Sequence, residues 1–192
     1  SNINGDNLNE EKFDPIFKHA EQIDCSIFVH PWEMMGQADI QKYWLPWLVG
    51  MPAETSRAIC SIIFGGILEK FPKLKIAFAH GGGTFSFTLG RIDHGFNVRP
   101  DLCTIDNKVL PSEYIGQFYV DSLVHDQQAI QFLINQMGYE KIALGSDYPF
   151  PLGEAKPGQL IEGMNIPDNM KQRMLAGTAL EWLGLNEHDY IR

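Results

Sequence analysis

The sequence predicts an α/β protein built on a parallel sheet, and two observations carry that prediction. Four short runs, 25–30, 75–80, 118–121 and 142–147, are almost continuously apolar, and segments with helical spacing alternate with them. Strands that are apolar on both faces belong to parallel sheets covered by helices. Each run also ends in a group that can bind a metal or move a proton: His30, His80, Asp121 and Asp147. In parallel sheets and barrels, loops converge at the carboxyl ends of the strands while the strand bodies form packed core. One such ending is the ordinary fate of a structural histidine; four together point to a site.

The elements follow in order. Asp14 is read as the cap of a first helix with Pro15 in its first turn, and Ile16, Ala20 and Ile23 as its apolar face. After the strand 25–30, a second helix is expected from about Thr55, with Ala58, Ile59, Ile62, Ile63 and Ile67 on one side. Phe71-Pro72 stops it before the strand 75–80. A helix around 87–96 precedes the strand 118–121. The next helix starts near Asp126, turns Ala129, Ile130, Leu133, Ile134 and Met137 inward, and stops at Gly138. The run 142–147 is the fourth strand, and a helix over 168–183, ended by Gly184, closes the chain.

With 192 residues, 44% hydrophobic and 20% charged, the chain has the length and composition of one domain, residues 1–192, or of part of a larger one. A net charge of −9 and the lack of any basic run argue against a nucleic-acid partner. Cys25, Cys60 and Cys103 are odd in number and far apart, which suggests neither a disulfide framework nor a thiolate zinc site and fits a reducing compartment. No apolar run reaches spanning length and the polar start, 1–11, has no signal-peptide core, so a soluble cytoplasmic protein without a membrane partner is expected.

Asp147 follows Ile142, Ala143 and Leu144 at the end of a core strand. A carboxylate taken out of water costs several kcal/mol unless a cation, a metal or good donors meet it. The connection from His30 to Thr55 is long and holds Trp32, Tyr43, Trp44 and Trp47, either a lid or wall over a pocket or a subunit interface. Gly81-Gly82-Gly83 after His80 allows a tight turn and close approach of a ligand, without the spacing of a dinucleotide fingerprint. Asp121 and His125 either orient a neighbouring ligand or, for Asp121, cap the following turn, while His19 and His188 are read as solvated.

The blocks HPWE (30–33), FPKLKIAFAHGGGTFSFTLGRIDHG (71–95), FNVRPDL (96–102), YVDSLVHD (119–126) and LGSDYPFPLGE (144–154) resemble the amidohydrolase superfamily, and within it the metal-dependent decarboxylases. The resemblance implies that this chain is the C-terminal half, strands 5 to 8, of a (β/α)8 TIM barrel. It implies a single divalent metal, Zn2+, held by His30 at the end of the fifth strand and by Asp147 at the end of the eighth. His80, at the end of the sixth, is then the general base that takes a proton from a water activated by the metal. Arg91 and Arg99 are implied to bind carboxylates of a small-molecule substrate, one of them from the neighbouring subunit of a homodimer, with Trp44 bordering the pocket. Taken without the resemblance, both arginines read as ordinary surface residues.

One departure stands out. Members of the superfamily carry a His-x-His pair on a first strand, and no such pair occurs here, so two further His ligands are expected upstream of this chain. A closed barrel needs eight strands and about 250 residues. A half-barrel leaves two strand edges open, which favours truncation of a longer enzyme, or else aggregation or dimerisation. Two other readings stay open: a related hydrolase, hydratase or aromatic-acid decarboxylase, and a non-catalytic fragment that binds a partner through an exposed edge or the aromatic loop.

Overall fold

The computed structural model describes residues 1–190. Four parallel strands, β3 (Ile27–Val29), β4 (Ile76–Phe78), β5 (Tyr119–Asp121) and β6 (Ile142–Ala143), form one sheet in that order, preceded by a small antiparallel hairpin of β1 (Asn2–Ile3) and β2 (Asp6–Asn7). Around the sheet lie α1 (Asp14–Gln22), α2 (Met51–Phe64), α3 (Ile67–Lys70), α4 (Phe85–Val98), α5 (Pro100–Cys103), α6 (Gln127–Met137), α7 (Gln159–Glu162), α8 (Asp168–Gln172) and α9 (Thr178–Leu183). The α/β alternation and the parallel sheet expected from the apolar runs are both present. Among the described residues no helix is long and apolar enough to cross a membrane.

The register explains the continuous apolarity. Phe28 lies opposite Ala77 and Ala77 opposite Tyr119, whereas Phe78 lies opposite Val120 and Val120 opposite Ile142. The second set, with Val29 and Ile76, packs under α2 and α6 in one core that includes Ile59, Ile62, Ile63, Ile130 and Leu133. Phe78, Phe118 and Phe85 meet there edge to face, with ring centroids 5.5 and 5.9 Å apart. The first set faces the other way, where Phe28 is exposed. The sheet thus has one face buried by helices and one only partly covered.

Tertiary packing moved several boundaries. The strands are shorter than their apolar runs: two or three residues, with the backbone leaving the ladder before His80 and Asp147, both of which take left-handed φ values of 57° and 50°. The buried stripe of α1 is Phe17 and Ala20, continued by Phe13 just before the helix, while Ile16 and, just after it, Ile23 are exposed. Phe17 turns that face inward by packing on Phe71, 6.2 Å away between ring centroids. Asp14 does not cap this helix; it lies in the first turn and pairs with Lys70 at 3.3 Å. The second helix begins at Met51 rather than Thr55 and breaks at Gly65-Gly66, so Ile67 belongs to α3. Asp126 does cap α6, accepting from the N–H of Gln128 (2.6 Å) and Ala129 (2.9 Å), and Gly138 ends it. The closing helix is interrupted by a wide turn, Arg173–Gly177, before Gly184 ends it with a left-handed φ of 70°. The polar start is ordered as the β1–β2 hairpin, pinned to α2 because Asn2 Nδ2 donates to the buried Glu54 at 2.8 Å.

α9 and the turn before it cross beneath the amino ends of all four strands. Ser26 donates to the Trp182 carbonyl and Trp182 Nε1 donates to the Lys75 carbonyl at 3.3 Å. Tyr119 donates to Glu181 at 2.8 Å, and Thr178 donates to the carbonyl of Glu140, just before β6, at 3.3 Å. This strap secures one end of the sheet and leaves the other free for loops.

Two outcomes follow. Phe78→Ala should lower the unfolding free energy by about 3–5 kcal/mol, since it removes a fully buried ring from a packed aromatic cluster; urea denaturation measures this. Burial pushes the Cys60 thiol up to about 11, and burial pushes the Tyr114 and Tyr119 hydroxyls up to about 12, helped by the carboxylates of Glu69 and Glu181. The unfolded chain therefore releases these protons first, so their stabilising contribution is complete below about pH 9 and is lost as the pH climbs through the folded values. Melting temperatures should fall steeply between about pH 9 and 12.

Candidate functional site

Parallel strands bring their carboxyl ends to one rim, and the loops there complete the site. His30 is the first residue after β3, His80 lies two residues past β4, Asp121 ends β5, and Asp147 lies four residues past β6. His80, Asp147, His125 and Trp44 all hold positive φ, at 57°, 50°, 59° and 61°. Side chains other than glycine adopt this conformation at a cost, and such strain collects where surrounding structure fixes a functional geometry.

Three of these side chains converge. Asp147 Oδ1 lies 3.1 Å from His30 Nε2 and 3.6 Å from His80 Nε2, and the two imidazole centroids are 4.9 Å apart at nearly a right angle. One ligand atom from each of His30, His80 and Asp147 lies within 4.8 Å of the others, the one such group of His, Cys, Asp or Glu among the described residues. Asp147 is 9% exposed and His80 11%, so the carboxylate and that imidazole are largely out of water. Burial lowers the pKa of His80; the charges of Asp121 and Asp147 pull it back only in part, and His30 adds to the lowering. His80 is therefore a neutral imidazole at neutral pH, with a lone pair available. The imidazole nitrogen of His30 and the carboxylate oxygen of Asp147 are donors suited to a divalent transition metal, with the lone pair of His80 close beside them. The residues present fit such an ion.

The site lies between two chambers. One, of about 500 Å3, runs along the open face of the sheet past Phe28, Ala77, Asp121 and Trp182 to His30 and Asp147. The other, about 380 Å3, is lined by Trp47, Met51, Leu123, Val124 and His125 and reaches His80 and Asp147. Trp44, Trp32 and Trp47 surround a small pocket beside His30, so the aromatic loop forms a wall of the site within this chain. Phe150, which the sequence reading did not single out, stacks on the His30 ring at 6.0 Å and 21°. Its nearness to Asp147 in SDYPF was the available signal.

The two arginines and the remaining histidines lie elsewhere. Arg91 and Arg99 are exposed, line neither chamber nor the small pocket, and are not brought together with His30, His80 and Asp147. Arg99 forks onto Asp101 at 2.8 and 2.7 Å. His19, His94 and His188 are exposed. Asp121 is buried and accepts from the N–H groups of Gly81 and Leu123 at 3.0 and 3.1 Å.

Comparison with known proteins gives this geometry a context. The chain is 57% identical over 192 residues to 2-amino-3-carboxymuconate-6-semialdehyde decarboxylase of Dictyostelium discoideum, covering 100% of this chain and 54% of that protein. It is 50% identical over 172 residues to the Caenorhabditis elegans protein of the same name, covering 88% and 43%. The chain thus spans about half the length of the curated relatives it matches. Among solved structures, 5-carboxyvanillate decarboxylase of Sphingomonas paucimobilis superposes with a TM-score of 0.84 at 25% identity, over 97% of this chain and 57% of that one. A 5-carboxyvanillate decarboxylase of Novosphingobium aromaticivorans, complexed with manganese and a nitrobenzoic acid, gives 0.81 at 25% identity over 96% and 55%. The amidohydrolase family model matches residues 1–185, and with relatives this similar the chain belongs to the amidohydrolase family.

Proposed function

We propose that residues 1–192 are one domain, the C-terminal half with strands 5 to 8 of a (β/α)8 barrel. The whole enzyme would decarboxylate 2-amino-3-carboxymuconate 6-semialdehyde, without an oxidant, in tryptophan degradation by the kynurenine route. The observation that carries this reading is the convergence of His30, His80 and Asp147 at the carboxyl rim of a parallel sheet. The names of the relatives at 57% and 50% identity support the substrate. Manganese in the Novosphingobium structure supports a divalent cation, and zinc is the ion proposed here.

His30 Nε2 and Asp147 Oδ1 would hold the ion, which when bound supplies Lewis acidity that lowers the pKa of water. His80 Nε2, neutral because burial disfavours its charged form, receives a proton. Phe150, stacked on His30, and the tryptophans of the aromatic loop form the wall of the site beside the His30 imidazole. Arg91 and Arg99 would bind substrate carboxylates through the planar guanidinium fork, and their exposure suits a contact made across a homodimer. The Arg99–Asp101 pair is exposed and worth little, so a carboxylate ligand can displace it. Three free cysteines accord with a cytoplasmic location.

In the complete enzyme, consumption of the semialdehyde should be readily measured and His80→Ala should lower kcat by about 10²–10⁴-fold, the usual worth of a general base. Turnover of 5-carboxyvanillate but not of the semialdehyde would instead identify an aromatic-acid decarboxylase. For this chain, zinc at about a hundred times its Kd should raise the unfolding free energy by about 2.7 kcal/mol. His30→Ala and Asp147→Ala should each remove that gain in a thermal melt, and Arg91→Ala should not. Stoichiometric zinc on the unaltered chain would argue against a non-catalytic binding fragment.

A further inference from the structure

We propose that Asp121 is a positioning residue for His80: its Oδ1 atom holds the left-handed turn that aims the His80 imidazole at Asp147. The backbone from His80 to Gly83 has four consecutive positive φ values, 57°, 62°, 76° and 64°. Left-handed backbone at a residue with a Cβ is strained, so His80 holds this conformation only where its surroundings impose it. Asp121 supplies the constraint. The same Oδ1 accepts the N–H of Gly81 at 3.0 Å and that of Leu123 at 3.1 Å, tying the end of β4 to the end of β5.

The Leu123 bond is a local turn that an aspartate makes with its own backbone. The Gly81 bond spans 40 residues, and capping the local turn does not require it. The turn is confined from the other side as well, since a Cβ at Gly81 would stand 2.6 Å from Val124 Cγ1 and 2.8 Å from Leu133 Cδ1. At Gly145, after β6, a Cβ would stand 2.7 Å from Asp121 Cγ, so the carboxyl is wedged among three strand ends. An unmet carboxyl buried in this way would cost several kcal/mol, which here is offset by backbone donors that fix a neighbour of Asp147. The importance of His80 rests on the function proposed above, but its placement can be read without any turnover.

Two variants of this chain separate the acceptor from its charge and volume. Asp121→Asn keeps Oδ1 and loses the charge; Asp121→Leu keeps similar bulk and loses the acceptor. With labelled histidines, the nuclear Overhauser contact between the His30 and His80 rings, whose centroids are 4.9 Å apart, reports where His80 points. The contact should persist in Asp121→Asn and be lost in Asp121→Leu, with a cooperative melt in both. Persistence in Asp121→Leu would overturn the proposal, and so would loss in Asp121→Asn, which would assign the role to charge. Loss of the cooperative melt in either variant would assign Asp121 to the fold as a whole and overturn it equally.

Discussion

The carboxylate of Asp147, set 3.1 and 3.6 Å from two imidazole nitrogens and almost closed off from water, is the contact on which the arrangement of this protein depends. Such a group is unstable in an apolar interior unless its lone pairs are met. The neighbours that meet it come from the ends of two other strands, 117 and 67 residues away in sequence order from His30 and His80 respectively, and a parallel sheet is what delivers them to one rim. Antiparallel pairing would send alternate strand ends to opposite sides and separate these groups.

Rigidity and chemistry occupy opposite ends of the sheet. Beneath the amino ends, α9 bonds to Ser26, Lys75, Tyr119 and Glu140, so every strand is anchored by one helix that contributes none of His30, His80 and Asp147. Above the carboxyl ends the backbone is irregular and holds left-handed turns at His80, His125 and Asp147. The buried helix-facing core between these ends, with Phe78, Phe118 and Phe85 interlocked, provides the stability against which that strain is held.

The partly covered sheet face belongs to the same logic. Phe28 is exposed there, and the chamber along it leads directly to His30 and Asp147. On the barrel reading proposed above, upstream strands would pair with the free edges of β3 and β6 and close this chamber into an interior. That reading also accounts for a span of only about half of the relatives' length.

The sequence by itself determined the alternation of strands and helices, the cap at Asp126, the stops at Gly138 and Gly184, and the polar groups at the strand ends. Each depends on local spacing, capping chemistry or backbone freedom, which neighbouring residues settle among themselves. It left other matters to the tertiary structure. The inward face of α1 was decided by Phe17 against Phe71, and the exposed Ile16 and Ile23 show that apolar spacing alone names several possible faces. The stacking of Phe150 on His30, the bond from Gly81 to Asp121 and the crossing of α9 under the strands join segments 120, 40 and 38 to 156 residues apart. Such contacts depend on how elements dock, and docking is fixed by the packing of whole faces, for which no short stretch of sequence carries the information.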